Sequence, residues 1–382
     1  MTAHPRQRSG FALALAIATI CIIGTLITGI LFASTQEYRL GRNALLQTRA
    51  LTAAELGLHA VAMPRPAGNW TPTLFSSLPI GHTTPPLEFL PGDGAVDTVR
   101  ITRLNELDFL VVSEGRAGTE QEARARRRLS SILTLRIPRL GTLAALTIRG
   151  PVSISDSATI DGSDTTFTGA SCLTTGPSPG ILSDDSSQVN ASACATGACM
   201  LGAPPLATSP AAADTTTYLS FGDADWYDLV GQADKIVTGA AVGGMSPSFD
   251  ASGACDTSDP SNWGDASRAA VNGSCQAYYP IIYAPGDLHI TSGGGQGVLL
   301  VDGDLEVSGG AEFVGAVIVR GRLSSGGAGG RLAGAVLVAN RGGSTNTLGG
   351  LTSIRRSSCA VAAALVGSAR PSGVRRVWNE LF

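Results

Sequence analysis

The hydrophobic positions of this chain fall into three regimes, and each predicts a different structure. After the mostly polar stretch MTAHPRQRSG, the run that opens at Phe11 and closes at Phe32 holds 22 residues without a charge. At ~1.5 Å per residue, a helix of that length crosses the ~30 Å apolar core of a bilayer. The run therefore predicts a transmembrane helix. A cleaved secretory signal would have a shorter apolar stretch and a small-residue exit, and GILFASTQ offers only a poor one. A lipoprotein site at Cys21 is disfavoured by the bulky Ile20 before it.

From Leu40 the pattern becomes amphipathic. Leu40, Ala44, Gln47, Leu51, Ala54, Leu58 and Val61 alternate four and three apart, a heptad seam with one polar member. This predicts one continuous helix over residues 11–63, ending before Pro64 and Pro66. A shorter juxtamembrane helix that packs only on its own ectodomain is the rival reading.

Beyond it the chain turns to β patterns. Residues 64–94, rich in Pro, Thr and Gly, read as a connector. Strand-like runs over residues 96–104, 107–113 and 123–137 predict a small antiparallel meander, within a region spanning 95–145, laid on the upper half of the helix. In the third run Leu129, Leu133, Leu135 and Ile137 share a face. The basic run Arg124, Arg126, Arg127 and Arg128 reads as a solvated strand entry beside Glu120 and Glu122.

From residue 146 an internal repeat dominates. RGPVSISDSATIDG (149–162) aligns without a gap on DGDLEVSGGAEFVG (302–315), setting Gly150 on Gly303, Val152 on Leu305, Ile154 on Val307, Ile160 on Phe313 and Gly162 on Gly315. Gly286, Gly303, Gly321 and Asn340 follow at intervals of 17, 18 and 19, and Gly297, Gly315 and Gly334 head the runs VLLV, AVIV and AVLV. Short β runs at this period with glycine corners describe the coils of a β-solenoid. An ordinary β-sandwich is the alternative. The expected fold is α+β: a long N-terminal helix, the meander, and a β-solenoid (β-helix) over 146–345. A large insertion, 163–279, interrupts the solenoid, and residues 346–382 form a C-terminal cap in which Trp378 and Phe382 cover strand edges. The coil length resembles that of bactofilin-type β-helices.

Cysteine usage adds a compartment. Cys172, Cys194, Cys199, Cys255, Cys275 and Cys359 all follow the apolar run. An even six on one side of a membrane segment reads as up to three disulfides in an oxidising space. That places the N-terminus in the cytoplasm and the ectodomain in the periplasm or outside the cell. Zinc at Cys194 and Cys199 would need a CxxC pair or a nearby histidine, and lone buried thiols are a further alternative. The balance of 27 basic and 30 acidic residues, net −3, offers no broad basic field for nucleic acid.

The N-terminal features together resemble a known family. A short basic leader, Gly10 before Phe11, a transmembrane helix that continues as an amphipathic one, and RALTAAELGLHAV resemble the N-terminal region of PilX-type minor pilins and of the K-type minor pseudopilins of type II secretion. The resemblance covers residues 1 to about 63. It implies a prepilin-like leader (residues 1–10), cleavage by a prepilin peptidase between Gly10 and Phe11, methylation of the new amine, and assembly with other pilin or pseudopilin subunits. Leu15 stands where most pilins carry a glutamate thought to pair with a neighbour's amine. K-type pseudopilins, which sit at the filament tip, and many PilX-like proteins also lack it, so Leu15 points to a minor subunit rather than a major one.

Catalytic patterns are sparse. His4, His59, His82 and His289 are scattered, and no metalloprotease, nucleophile-elbow or phosphate-loop pattern occurs. Asp287, Asp302, Asp304, Glu306 and Glu312 could line a coil face as in polysaccharide-cleaving β-helices, or simply alternate outward. DGSD (161–164) and FGDADWYD (221–228) could hold calcium but lack EF-hand spacing. The expectation is a non-enzymatic, cofactor-free minor pilin-like subunit of a type IV pilus or secretion pseudopilus. The alternative is a membrane-anchored surface β-helix that binds or acts on polysaccharide.

Overall fold

The computed structural model describes residues 9–62, 78–89, 95–118, 125–141, 144–166, 175–194, 199–268, 273–367, 369–373 and 379–381. Within them the apolar run and the amphipathic segment form one unbroken helix, α1 (Ser9–Ala62). No proline lies between Pro5 and Pro64 to interrupt it. Thr19, Thr25, Thr28 and Thr35 turn their hydroxyls back onto the carbonyls of Leu15, Ile22, Gly24 and Phe32, so these groups need no water partner.

The meander forms as the alternation predicts. Strands β1 (Leu87–Phe89), β2 (Ala95–Arg103), β3 (Asp108–Ala117) and β4 (Ala125–Arg136) pair antiparallel in chain order. Asn105 fixes the β2–β3 turn by accepting from the backbone N–H groups of Leu107 and Asp108 at 2.8 Å. One face of this sheet covers the end of α1, joining Ala54, Leu58 and Val61 to Val99, Ile101, Phe109, Val111, Leu129 and Leu133.

The seam keeps the upper half of the heptad read in the sequence, with Ala54, Leu58 and Val61 buried and Leu51 half-buried, but it widens into the adjoining row and leaves the lower half of the heptad uncovered. Leu46, Ala50, Ala53, Ala54, Gly57, Leu58 and Val61 are buried, whereas Leu40, Ala44 and Gln47 are exposed. Small residues set this widening. A Cβ on Gly57 would lie 1.5 Å from Asp97 Oδ2, and one on Gly115 would lie 1.9 Å from the Ala50 carbonyl oxygen. Glycine at both sites lets helix and sheet approach backbone to backbone, an attraction that a hydrophobic pattern does not register.

The remainder is a β-solenoid whose coils pass alternately through two parallel sheets, one of eleven and one of seven strands among the described residues. The register matches the repeat alignment. Val152 shares a column with Leu305 through Asn346 and Leu323, and Ile154 shares one with Val307 through Leu348 and Ser325. Ile160 stacks under Phe313 by way of Ile354 and Leu332. Gly297, Gly315 and Gly334 lie directly over one another. At the next corner the N–H of each residue bonds the carbonyl of the one before it in the series Gly286, Gly303, Gly321 and Asn340.

The order of coils is not the order of the chain. The strand Val152–Asp156 pairs with Asn346–Leu348, so the first coil in sequence stacks on the last one. Residues 163–279 are consequently more than an insertion. Ile181–Ser183 and Val189–Cys194 extend the stack beyond the first coil, while Lys235–Ile236 and Ala241–Val242 extend its opposite end. Between them the short helix Trp226–Val230 crosses the outer face of the larger sheet, where Trp226 and Leu229 pack with the helix Ser358–Gly367 over Val298, Leu300, Ala316 and Ile318. Both faces of that stretch of the sheet are thus covered, which is why VLLV, AVIV and AVLV are continuous rather than alternating runs.

The described residues within 346–382 do not form the expected end cap. Asn346–Leu348 and Ser353–Arg356 are rungs of the stack, the helix Ser358–Gly367 lies on its side, and Arg370–Gly373 and Asn379–Leu381 pair with β4. Trp378 and Phe382 lie outside the described residues. Disulfides join Cys194 to Cys199 and Cys255 to Cys275. Cys359 is disulfide-bonded as well, and Cys172 is not among the described residues. Cys21 in the apolar run is free and exposed.

Candidate membrane and assembly surface

Every residue from 11 to 41 is exposed, and over residues 11–32 the side chains are uncharged and predominantly apolar all round the helix: Phe11 is 77% exposed, Leu15 60% and Phe32 66%. A helix with no polar face finds no stable place in water. Its most apolar window has a mean hydropathy of 2.5, and among the described residues this is one helix long and apolar enough to cross a membrane. Gly10 and Phe11 fall in the first turns of α1, and residues 1–8 are outside the described set. Leu15 therefore presents its side chain outward from the apolar segment. Leu40 (67%) and Leu45 (52%) continue the exposed apolar surface up to the sheet.

The end of α1 is held by polar chemistry that the sequence did not single out. Asp97 and Ser113 are fully buried under the helix. Ser113 Oγ lies 2.7 Å from the Ala54 carbonyl and 2.6 Å from Asp97 Oδ1. Burial is the main reason the Asp97 carboxyl is pushed up to about 6, the bond with Ser113 opposing it only in part.

Beside it, the basic run has a partner other than the one expected. Arg128 and Arg116 each place Nε 2.7 Å from Glu114, and Arg126 also pairs with it. Glu114 is opposite Arg128 across the β3–β4 ladder and two residues from Arg116, so strand pairing assembles the cluster. The Glu114 side chain is 3% exposed. Burial alone would raise its carboxyl, but hydrogen bonds and charge from Arg128 and Arg116 outweigh that and hold it below the usual range. Glu120, Glu122 and Arg124 are outside the described residues.

Glu114→Ala is expected to destabilise the sheet by about 2 kcal/mol, less than the ~3–5 kcal/mol of a fully buried pair because the arginines stay half in water. Thermal melts check this. Since the folded carboxyl is depressed, the wild-type advantage should be complete above its unfolded value of 4.5 and fade as pH falls below it.

Of the carboxylates considered for chemistry on the coils, all but Glu312 contact a neighbouring coil. Asp287 accepts from the N–H of Asp304 at 2.8 Å, and Asp304 accepts from the backbone and the Nε of Arg322 one coil on. Asp302 pairs with Arg320, whose guanidinium also lies 5.3 Å over the Trp226 ring. Glu306 is 3.7 Å from His289. Asp164 of DGSD accepts four hydrogen bonds from Thr175 and Ser358; these outweigh a burial effect of opposite sign and hold it at about 2. Asp225 and Asp228 of FGDADWYD form the capping box of the helix Trp226–Val230. No group of three or more His, Cys, Asp or Glu with metal-holding geometry occurs among the described residues.

No protein-family model matches the chain, and no curated protein matches it. Among solved structures it is similar to the competence-associated pilin ComZ from Thermus thermophilus, at 11% identity over 88% of this chain and 96% of that one, with a TM-score of 0.21.

Proposed function

We propose that this protein is a minor pilin-like subunit: residues 11–32 hold it in the inner membrane with the ectodomain outside the cytoplasm, and α1 then packs among other pilin or pseudopilin subunits. Its role is mechanical, without turnover. The observation that carries this reading is the unbroken run of α1 from an all-round exposed apolar segment into a half docked on its own sheet, with Leu40, Ala44 and Gln47 left uncovered for neighbours. The N-terminal resemblance adds cleavage after Gly10 and, through Leu15, a minor position in the assembly.

The test is to express the full chain with and without a prepilin peptidase and sequence the mature N-terminus. A peptidase-dependent start at Phe11 supports the proposal. An intact Met1 in both cells, or a start beyond Phe32, overturns it.

A further inference from the structure

The solenoid carries a cleft of about 580 Å³ on a part of the larger sheet that the short helices leave uncovered. One row of its wall is set by strand register: Glu312, Arg331, Ser353 and Thr159 occupy matching positions on four adjacent strands. Three strand steps of ~4.8 Å carry this row across ~14 Å. Arg355 stands in the neighbouring row, diagonal to Arg331, and Ser267 also lines the cleft.

Two features ask for a ligand. Arg331 and Arg355 are exposed like charges on neighbouring strands, and neither has a hydrogen-bond or ion-pair partner among the described residues. Glu312 lies directly across from Arg331, yet no ion pair closes between them. Elsewhere on the coils cross-strand arginines are matched, as Arg320 is by Asp302 and Arg322 by Asp304. Uncompensated guanidiniums above a row of hydroxyls fit a planar anion that also offers hydroxyl groups.

We propose that this cleft binds an acidic glycan: carboxylates of successive uronate units pair with Arg331 and Arg355, while sugar hydroxyls donate to Glu312 and exchange hydrogen bonds with Ser353, Thr159 and Ser267. Nucleic acid fits less well. Among the described residues no aromatic side chain lines the cleft for base stacking, and Glu312 stands at one end of the row, beside Arg331, where it would repel a passing phosphate. The site does not depend on filament assembly, since a chain that never left the membrane would carry the same cleft.

The full chain in detergent micelles is titrated calorimetrically with oligogalacturonate, with the carboxyl-reduced oligomer, and with a single-stranded oligothymidylate. Saturable binding of the uronate is expected, weakened at least tenfold by carboxyl reduction and at least tenfold by Arg331→Gln with Arg355→Gln, while the melting temperature of the double variant stays at the wild-type value. Should that variant melt early, the wild-type salt dependence decides: affinity for the uronate must fall as ionic strength rises. No uronate binding, equal binding of the reduced oligomer, salt-independent binding, or tighter binding of the oligothymidylate overturns the proposal.

Discussion

Gly315→Ala is expected to abolish the cooperative folding of the solenoid, a loss above ~4 kcal/mol, in the range reserved for a backbone that cannot accept its side chain. Gly315 sits at φ +137°, a region essentially closed to residues with a Cβ. Space is lacking as well: its Cβ would lie 2.1 Å from the Gly297 carbonyl oxygen and 3.0 Å from that carbonyl carbon. Both are backbone atoms of the coil stacked against it, so neither can rotate away. Gly334 on the next coil repeats the conflict, 1.8 Å from the Gly315 oxygen, which means the ladder has no slack to pass along. Gly310 provides the control. It also has a positive φ, +74°, but nothing lies within 4 Å of its Cβ, so Gly310→Ala should cost only ~1–2 kcal/mol of backbone strain. Melting curves of the full chain in micelles, followed by circular dichroism, separate the two. A Gly315→Ala protein that melts within a few degrees of Gly310→Ala would mean that the coils yield where their carbonyls meet.

These glycines were visible in the sequence because their spacing repeats, and so were the columns that stack Val152 with Leu305 and Ile160 with Phe313. Periodicity reports what each coil has in common with the others. It does not report which coil touches which, because parallel strands from any two coils offer the same hydrogen-bond edge. Hence the stacking of Val152–Asp156 on Asn346–Leu348, across nearly the whole repeat region, was illegible. Two of the strands within 163–279 were missed for a related reason: Lys235–Ile236 and Ala241–Val242 are two residues each, too short to show alternation. The apolar surface of residues 11–32 was legible from hydropathy alone, whereas the seam of α1 was legible only in part: Leu51, Ala54, Leu58 and Val61 pack as read, but the adjoining row through Ala50, Ala53 and Gly57 was not visible. That row is set by Gly57 and Gly115, which contribute closeness rather than apolar area. The Glu114 cluster and the Arg331–Glu312 row belong to a third kind, visible only once strand register is known.

The pair Asp97 and Ser113 leads to the second large effect. Ser113 Oγ is within hydrogen-bond distance of two acceptors, the Ala54 carbonyl and Asp97 Oδ1, but a hydroxyl has one proton. With Asp97 ionised one contact goes unbonded, and Oδ2, which abuts Gly57, has no hydrogen-bond partner at all. With Asp97 protonated the chain closes: the acid donates to Ser113, and Ser113 donates to Ala54. Geometry and burial thus agree in favouring the neutral acid, with a folded value of about 6 against an ordinary aspartate value of 3.8. Because the unfolded chain releases this proton first, the effect on stability is absent below about pH 4 and grows as pH rises to about 6. Above that it levels at about 3 kcal/mol of destabilisation. Asn at this position reproduces the protonated acid, donating from Nδ2 to Ser113 without a charge to bury. Asp97→Asn is therefore expected to stabilise the helix–sheet junction by about 2–3 kcal/mol at about pH 7.5 and to match wild type at about pH 4. Melting temperatures of both proteins across that range decide the matter: an Asn variant no more stable than wild type at the upper pH, or equally displaced from it at every pH, would show that the junction carries a charged Asp97 at no cost.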